Sequence, residues 1–169
     1  KGKIQVFKSP DEVYNMANLY LGKDFCSENP EDAKAVQTLF EGQKPFVVTY
    51  NSENQSGNLA NGTSIIANHW NGFAMRARTE SKTDVVYAYP KEGVVGWLDS
   101  ACVPVGAKNA ENARKFLEFI MKPENIALQS NYARYSNAIV GSEAFMDKDL
   151  SSAPELAVPK DVPVKFGEA

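Results

Sequence analysis

The run EGVVGWLDSACVPV (92–105) holds two residues, Trp97 and Asp99, whose types bind a cation together. An indole face attracts positive charge, and a carboxylate accepts charge-assisted hydrogen bonds. The two stand two positions apart, so on a strand both point to one face. An otherwise apolar strand would then present a large ring beside a negative charge. Glu12, Ser52, Trp70 and Tyr135 extend the set. Glu12 follows the first predicted strand, Ser52 the second, and Trp70 ends a third just before a helix. In open α/β sheets, ligands bind beyond the carboxyl ends of the strands, where these three residues would gather. Acids beside ring faces suit an organic ammonium: the carboxylate takes the N–H groups and the rings take the methylenes. Cation–π attraction adds up to ~2 kcal/mol when desolvated.

Each of these residues also has a plain structural reading. Glu12 lies three positions after Ser9 in SPDE, where it would serve as the reciprocal acid of a capping box. Trp97 could be core and Asp99 a hinge or turn acid. Trp70 and Tyr135 could be packing aromatics, and Ser52 in NSENQS a loop hydroxyl.

Other chemistries lack their residues. There is one histidine, His69, and no His/Cys set with zinc-ligand spacing, so neither a metal nor a cofactor is expected. No G-x-S-x-G elbow, P-loop or G-x-G-x-x-G is present. A Ser-His-Asp triad would have to use His69, which reads instead as an ordinary surface or strand-end residue beside Trp70.

Hydrophobic periodicity supplies the scaffold for these residues. KIQVF reads as a strand leading into SPDE, where Ser9 fits an N-cap and Pro10 the first helical position. Val13, Met16, Ala17, Tyr20 and Leu21 then repeat at helical spacing up to Gly22. NPEDAKAVQTLFEG repeats the scheme, with Asn29 as cap, Pro30 at the start and Gly42 as the stop. FVVTY, SIIANHW, TDVVYAYP and the run 92–105 read as strands, and NGFAMRARTES as a helix. KNAENARKFLEFIMKPENIALQSNYAR is helical, with Ala113, Phe116, Leu117, Ile120 and Met121 on one face and Pro123 beginning a second helix. The last 30 residues, with Pro154, Pro159 and Pro163, read as extended or loop. Strands alternating with helices predict an α/β protein with a largely parallel sheet.

The 169 residues suffice for one domain or two small lobes. With 18 Lys+Arg against 21 Asp+Glu, the net charge of −3 argues against nucleic acid as the main partner. No apolar run reaches the ~18 residues of a membrane span. The opening KGKIQVFKSP carries no signal-peptide core, so the mature protein begins abruptly or the chain is a fragment. Cys26 and Cys102 fit one disulfide or two buried free thiols equally well.

The series GKIQVFKSPDEVY, YNSEN, HWNGFAMRA, DVVYAYPKEGVVGWLDSACVPVGAKNAENARKFLEFIMKPENIA and RYSNAIV resembles the bacterial spermidine/putrescine-binding proteins. These are the extracytoplasmic (periplasmic) receptors of polyamine ABC importers. The likeness is collinear from about residue 2 to residue 150. It implies a periplasmic-binding-protein-like (type II, two-lobed) α/β fold, here a C-terminal fragment. Residues 1–97 would be a second-lobe segment, 98–141 would return to the first lobe, and 142–169 would cross back. Cys26 and Cys102 would then fall in different lobes and stay unbridged.

The resemblance further implies that Glu12 and Asp99 hold ammonium groups and that Ser52 sits in the polar loop at the cleft. Trp70 and Trp97 would line the polyamine and Tyr135 would close over it. Spermidine-type members can carry an acid where Ser9 stands, and putrescine-type members an acid where Phe73 stands, so the particular polyamine stays open. The implied function is non-catalytic binding of spermidine or putrescine for delivery to an ABC permease. The missing N-terminal half would supply the other wall. A polyamine sensor docking on a membrane signalling protein is an alternative with the same fold. A glycoside hydrolase using Glu12 and Asp99 as paired carboxylates is a remote one.

Overall fold

The segment KIQVF forms β1 (Ile4–Val6), the central strand of a three-stranded parallel sheet. β2 (Val47–Tyr50) lies on one side and β3 (Ile66–Ala67) on the other. Ile4 pairs with Val47, Gln5 with Thr49 and Val6 with Tyr50, with an irregularity after Ile4. Ile4 and Gln5 pair with Ile66 and Ala67. The computed structural model describes residues 2–81 and 84–166, which divide into two compact units. The described residues of 1–97 and 158–169 form the first unit, and 98–157 form the second.

Between its strands the first unit carries α1 (Pro10–Tyr20), α2 (Pro30–Gln43), α3 (Gln55–Ala60) and α4 (Asn71–Glu80). Asn29 Oδ1 accepts from Glu31 N–H at 3.0 Å, so the second helix starts on the side-chain cap its sequence predicts. The α1–α2 connection closes on Asp32, which takes the Ser27 hydroxyl at 2.7 Å and the Lys23 ammonium at 2.9 Å. These two partners hold the Asp32 carboxyl below its ordinary pKa. The core beneath the sheet includes Val6, Phe7, Ala17, Val36, Met75 and Ala77.

Gln5 is a fully buried polar residue in the middle of β1. Its Nε2 donates to the Asn51 carbonyl at 2.9 Å, and its Oε1 accepts from Asn58 Nδ2 at 3.0 Å. Burying an amide is tolerable once its groups are paired. Here the pairing fastens the ends of β2 and α3 to the central strand. Asn18 on α1 is equally buried, yet neither side-chain polar atom has a hydrogen-bond partner among the described residues.

The remaining strands of the first unit are β4 (Val94–Gly96) and β5 (Val164–Phe166), paired in parallel. Close approach requires glycine here, because a Cβ on Gly96 would lie 2.7 Å from Val164 Cγ1 and 2.8 Å from Phe166 Cε1. The second unit holds α5 (Ala110–Ile120), α6 (Pro123–Ala133) and α7 (Lys148–Ser151). It buries Ala127, Leu150 and Ala153.

Several expectations need correction. The run 92–105 is a strand only over Val94–Gly96, so alternation does not govern Trp97 and Asp99, which come after it. In TDVVYAYP, residues 84–90 form no strand, and Thr83 lies outside the described residues. Val86 is 83% exposed there, so its β-branched side chain contributes propensity without burial. The polar stretch after β2 contains α3, while the tail is mostly extended or loop as expected, with one short helix, α7. The apolar face of α5 is present, but Phe116 and Met121 are more than half exposed and no residue of the helix is buried. Cys26 and Cys102 are both free, and both are exposed rather than buried.

Candidate functional site

Parallel pairing brings the carboxyl ends of β1, β2 and β3 to one edge of the sheet. The residues just after each strand therefore meet there. Phe7, Lys8 and Ser9 come from β1, Asn51 and Ser52 from β2, and Asn68, His69 and Trp70 from β3.

Trp70 anchors this edge. It stands at the N-cap of α4, and its ring stacks on buried Phe7 with centroids 4.6 Å apart and planes inclined by 22°. The ring is held in place, and its Nε1–H donates to Glu12 Oε2 at 3.0 Å. Glu12 Oε1 accepts from the Ser9 hydroxyl at 3.0 Å, and the same hydroxyl lies 3.0 Å from Asp11 Oδ1. One hydroxyl hydrogen is thus shared between two carboxylates. Ser9 occupies the N-cap position but makes no side-chain cap bond. The capping-box reading of Ser9 and Glu12 fails, because the hydroxyl turns toward the acids and Glu12 reaches the indole instead. The negative charge is nonetheless well placed in the first turn of α1, at the positive end of the helix dipole.

Ser52 joins the same edge in a structural capacity. Its Oγ accepts from Lys8 N–H at 2.9 Å, tying the end of β2 to that of β1. The neighbouring Asn51 Oδ1 accepts from Glu53 N–H at 2.9 Å, which shapes the loop, and Asn54 takes a left-handed φ of 51°.

His69 lies just beyond the end of β3, as expected of a strand-end residue, and is half-buried. Both ring nitrogens are buried without a hydrogen-bond partner among the described residues, and desolvation lowers the imidazole pKa to about 4. It therefore stays neutral near pH 7. Its ring lies near-parallel to Phe73 at 6.1 Å, and Phe73 meets Trp70 at 5.9 Å. Arg76 places its guanidinium carbon 5.2 Å from the Phe73 centroid.

Three of the six predicted residues, Glu12, Ser52 and Trp70, therefore share one edge. Trp97 belongs to the same unit, directly after β4, and is nearly half exposed. Asp99 and Tyr135 belong to the second unit, Asp99 on an exposed stretch after its first residue. Tyr135 lies just beyond α6, whose C-cap Arg134 adopts a left-handed φ of 65°. Arg134 Nη1 reaches Asp147 Oδ2 at 3.1 Å, and Asn137 bonds Ser130 and Ser142, so the RYSN segment is fixed on both sides of the tyrosine.

Sequence reasoning missed Phe7 and Gln5 as parts of this edge. Gln5 carried a signal, since an amide inside an apolar strand calls for buried partners. Phe7 carried none beyond its place at a strand end.

Among the described residues no group of three or more His, Cys, Asp and Glu could hold a metal ion, and no helix is long and apolar enough to cross a membrane. An acid oriented by an indole, beside a stacked aromatic wall, suits capture of an ammonium. A family model described as bacterial extracellular solute-binding protein matches residues 1–158. The chain belongs to this family.

The chain is 28% identical over 168 residues to a putrescine-binding periplasmic protein of Pseudomonas aeruginosa, covering 96% of the chain and 46% of the relative. A spermidine/putrescine-binding periplasmic protein of Salmonella typhimurium is 35% identical over 127 residues, 73% of the chain and 35% of the relative. A spermidine/putrescine ABC transporter substrate-binding protein of Streptococcus pneumoniae, solved with calcium and HEPES, superposes with a TM-score of 0.75 at 21% identity. That match covers 89% of the chain and 46% of the pneumococcal one. A lipoprotein of Treponema pallidum superposes with a TM-score of 0.77 at 20% identity, covering 97% and 52%. The fold is that of the solute-binding proteins, and the chain spans about half the length of the relatives it matches.

Proposed function

We propose that this chain is the C-terminal part of an extracytoplasmic receptor that binds a polyamine, delivers it to an ABC permease and catalyses no reaction. The observation that carries the reading is the Glu12–Trp70 bond at the carboxyl edge of the sheet. It leaves a carboxylate oriented beside aromatic surface, which is what a protonated amine with an alkyl chain requires. The names of the relatives support the ligand class.

In this reading residues 1–97 are second-lobe material, and residues 98–141 belong to the first lobe with Asp99 and Tyr135. The chain crosses back within 142–169, and its described residues from 158 onward group with the first unit. The exposed apolar face of α5 is covered by the rest of the first lobe, contributed by an N-terminal half. Trp97 and Tyr135 enclose the methylenes, and Asp99 takes a further ammonium. Burying each positive charge demands such a partner.

The test uses the chain's two tryptophans, which give two indole N–H resonances in a ¹⁵N-labelled sample. Trp97→Phe assigns them. Spermidine or putrescine at millimolar concentration should shift the Trp70 resonance saturably, and Glu12→Gln should abolish the shift. A Trp70 resonance that stays still in the wild-type chain up to tens of millimolar ligand overturns the reading.

A further inference from the structure

Glu12 is held from two directions. Trp70 Nε1–H donates to Oε2 at 3.0 Å and the Ser9 hydroxyl donates to Oε1 at 3.0 Å, so each carboxylate oxygen has one protein donor. Bonds to both oxygens fix the plane of the carboxylate as well as its place. Each oxygen keeps a further acceptor site for a ligand N–H. Among the described residues Glu12 has no cationic partner, so its charge is available to a ligand. The Ser9 hydroxyl also lies 3.0 Å from Asp11 Oδ1, but Asp11 is exposed and water can serve it, whereas Glu12 is half-buried.

Ser9 forgoes another bond to make this one. Its carbonyl accepts from Val13 N–H at 3.0 Å, so its backbone occupies the N-cap position, yet its hydroxyl caps nothing. The N–H groups of Asp11 and Glu12, second and third in the helix, go without the bond that an N-cap serine ordinarily supplies. A serine that abandons a stabilising cap to orient a carboxylate breaks a local rule, and such departures concentrate at functional sites. We infer that Ser9 is a positioning residue of the ammonium site: together with Trp70 it clamps Glu12 in the orientation that meets an amine. The inference rests on the ammonium reading of Glu12. Amine affinity then depends on a hydroxyl that acts through Glu12 and adds little to the stability of α1.

Butylamine is the probe, followed at the Trp70 indole resonance of the 169-residue chain, with urea unfolding of the same variants. Ser9→Ala removes no cap bond, so its urea midpoint should match the wild type while butylamine binds about threefold to tenfold more weakly. Its Trp70 indole N–H should also exchange faster with water before any amine is added, because its acceptor is freer to move. Ser9→Thr keeps the hydroxyl and should bind butylamine within about twofold of the wild type. Unchanged butylamine affinity in Ser9→Ala, or a loss that Ser9→Thr shares in full, overturns the inference whatever the urea midpoints. A lowered midpoint with unchanged indole exchange assigns Ser9 to the helix cap and overturns it as well. A wild-type Trp70 resonance that responds to no amine overturns the ammonium reading of Glu12 instead, and the two failures are thereby distinguished.

Discussion

The indole N–H of Trp70 donates to Glu12 Oε2 across 3.0 Å, joining residues 58 positions apart in the chain. The bond turns a first-turn helix acid into an oriented acceptor, because Trp70 is itself fixed by its stack on Phe7. Two substitutions separate charge from orientation. Glu12→Gln removes the negative charge and should weaken amine binding by roughly tenfold to a hundredfold, matching the ~1.5–3 kcal/mol of a charged hydrogen bond. Trp70→Phe keeps a ring on Phe7 but loses the donor, and its loss should be smaller, about tenfold or less. Titration calorimetry of the polypeptide carrying both lobes measures both. A Trp70→Phe variant that binds as tightly as the wild type would show that the indole does not position Glu12.

How far this edge could be read from sequence depends on the residue. Parallel β1, β2 and β3 put Glu12, Ser52 and Trp70 on one edge, and that juxtaposition is a consequence of the strand–helix alternation. The use of Glu12 was not legible, because SPDE satisfies a capping box and a ligand acid with the same letters. Only the tertiary contact with Trp70 shows that Glu12 leaves the capping box. The shared strand face expected of Trp97 and Asp99 is absent for a different reason. Apolar β-branched runs predict strand, but among the described residues the ladder of β4 with β5 pairs only Val94–Gly96. The Phe7–Trp70 stack depends on two chain segments meeting, which no local period encodes.

Asp99 lies in the second unit, and in the proposed function it binds a separate ammonium. Its contribution should therefore be independent of Glu12. In the polypeptide carrying both lobes, Asp99→Asn should weaken spermidine by about tenfold or more. The Glu12→Gln/Asp99→Asn pair should lose close to the sum of the two free energies, because each acid is proposed to meet its own ammonium. Calorimetry showing unchanged spermidine and putrescine affinity in Asp99→Asn removes this acid from the site.

Gly96 is where β4 and β5 approach closely enough to forbid a side chain. A methyl group there would stand 2.8 Å from Phe166 Cε1 and 2.7 Å from Val164 Cγ1, so β5 must shift to admit it. Gly96→Ala should cost about 1–3 kcal/mol of stability, the usual range for overpacking. Hydrogen exchange should quicken across Val164–Phe166. Adding Phe166→Ala relieves one of the two contacts, so the double variant should be less destabilised than the sum of the two singles. Strict additivity would place the cost at Val164 or in the Gly96 backbone rather than at Phe166.

His69 gives the fold a pH dependence with a definite sign. Its ring nitrogens are buried without hydrogen-bond partners among the described residues, and desolvation brings its pKa from 6.5 down to about 4. A depressed histidine pKa means that the unfolded chain takes up a proton in a range where the folded chain does not. Near pH 7 both states are neutral and the site contributes no slope. As the pH falls from 6.5 toward 4, folding stability should decline by up to about 1.4 kcal/mol per pH unit. Below pH 4 this contribution levels off, since both states are then protonated. His69→Phe keeps a ring to lie against Phe73 and removes the titrating group. Urea unfolding of the two proteins between pH 7 and pH 4 should give curves whose difference grows as the pH falls, with the variant losing less. Parallel curves across that range would mean that the imidazole is hydrated in the folded state.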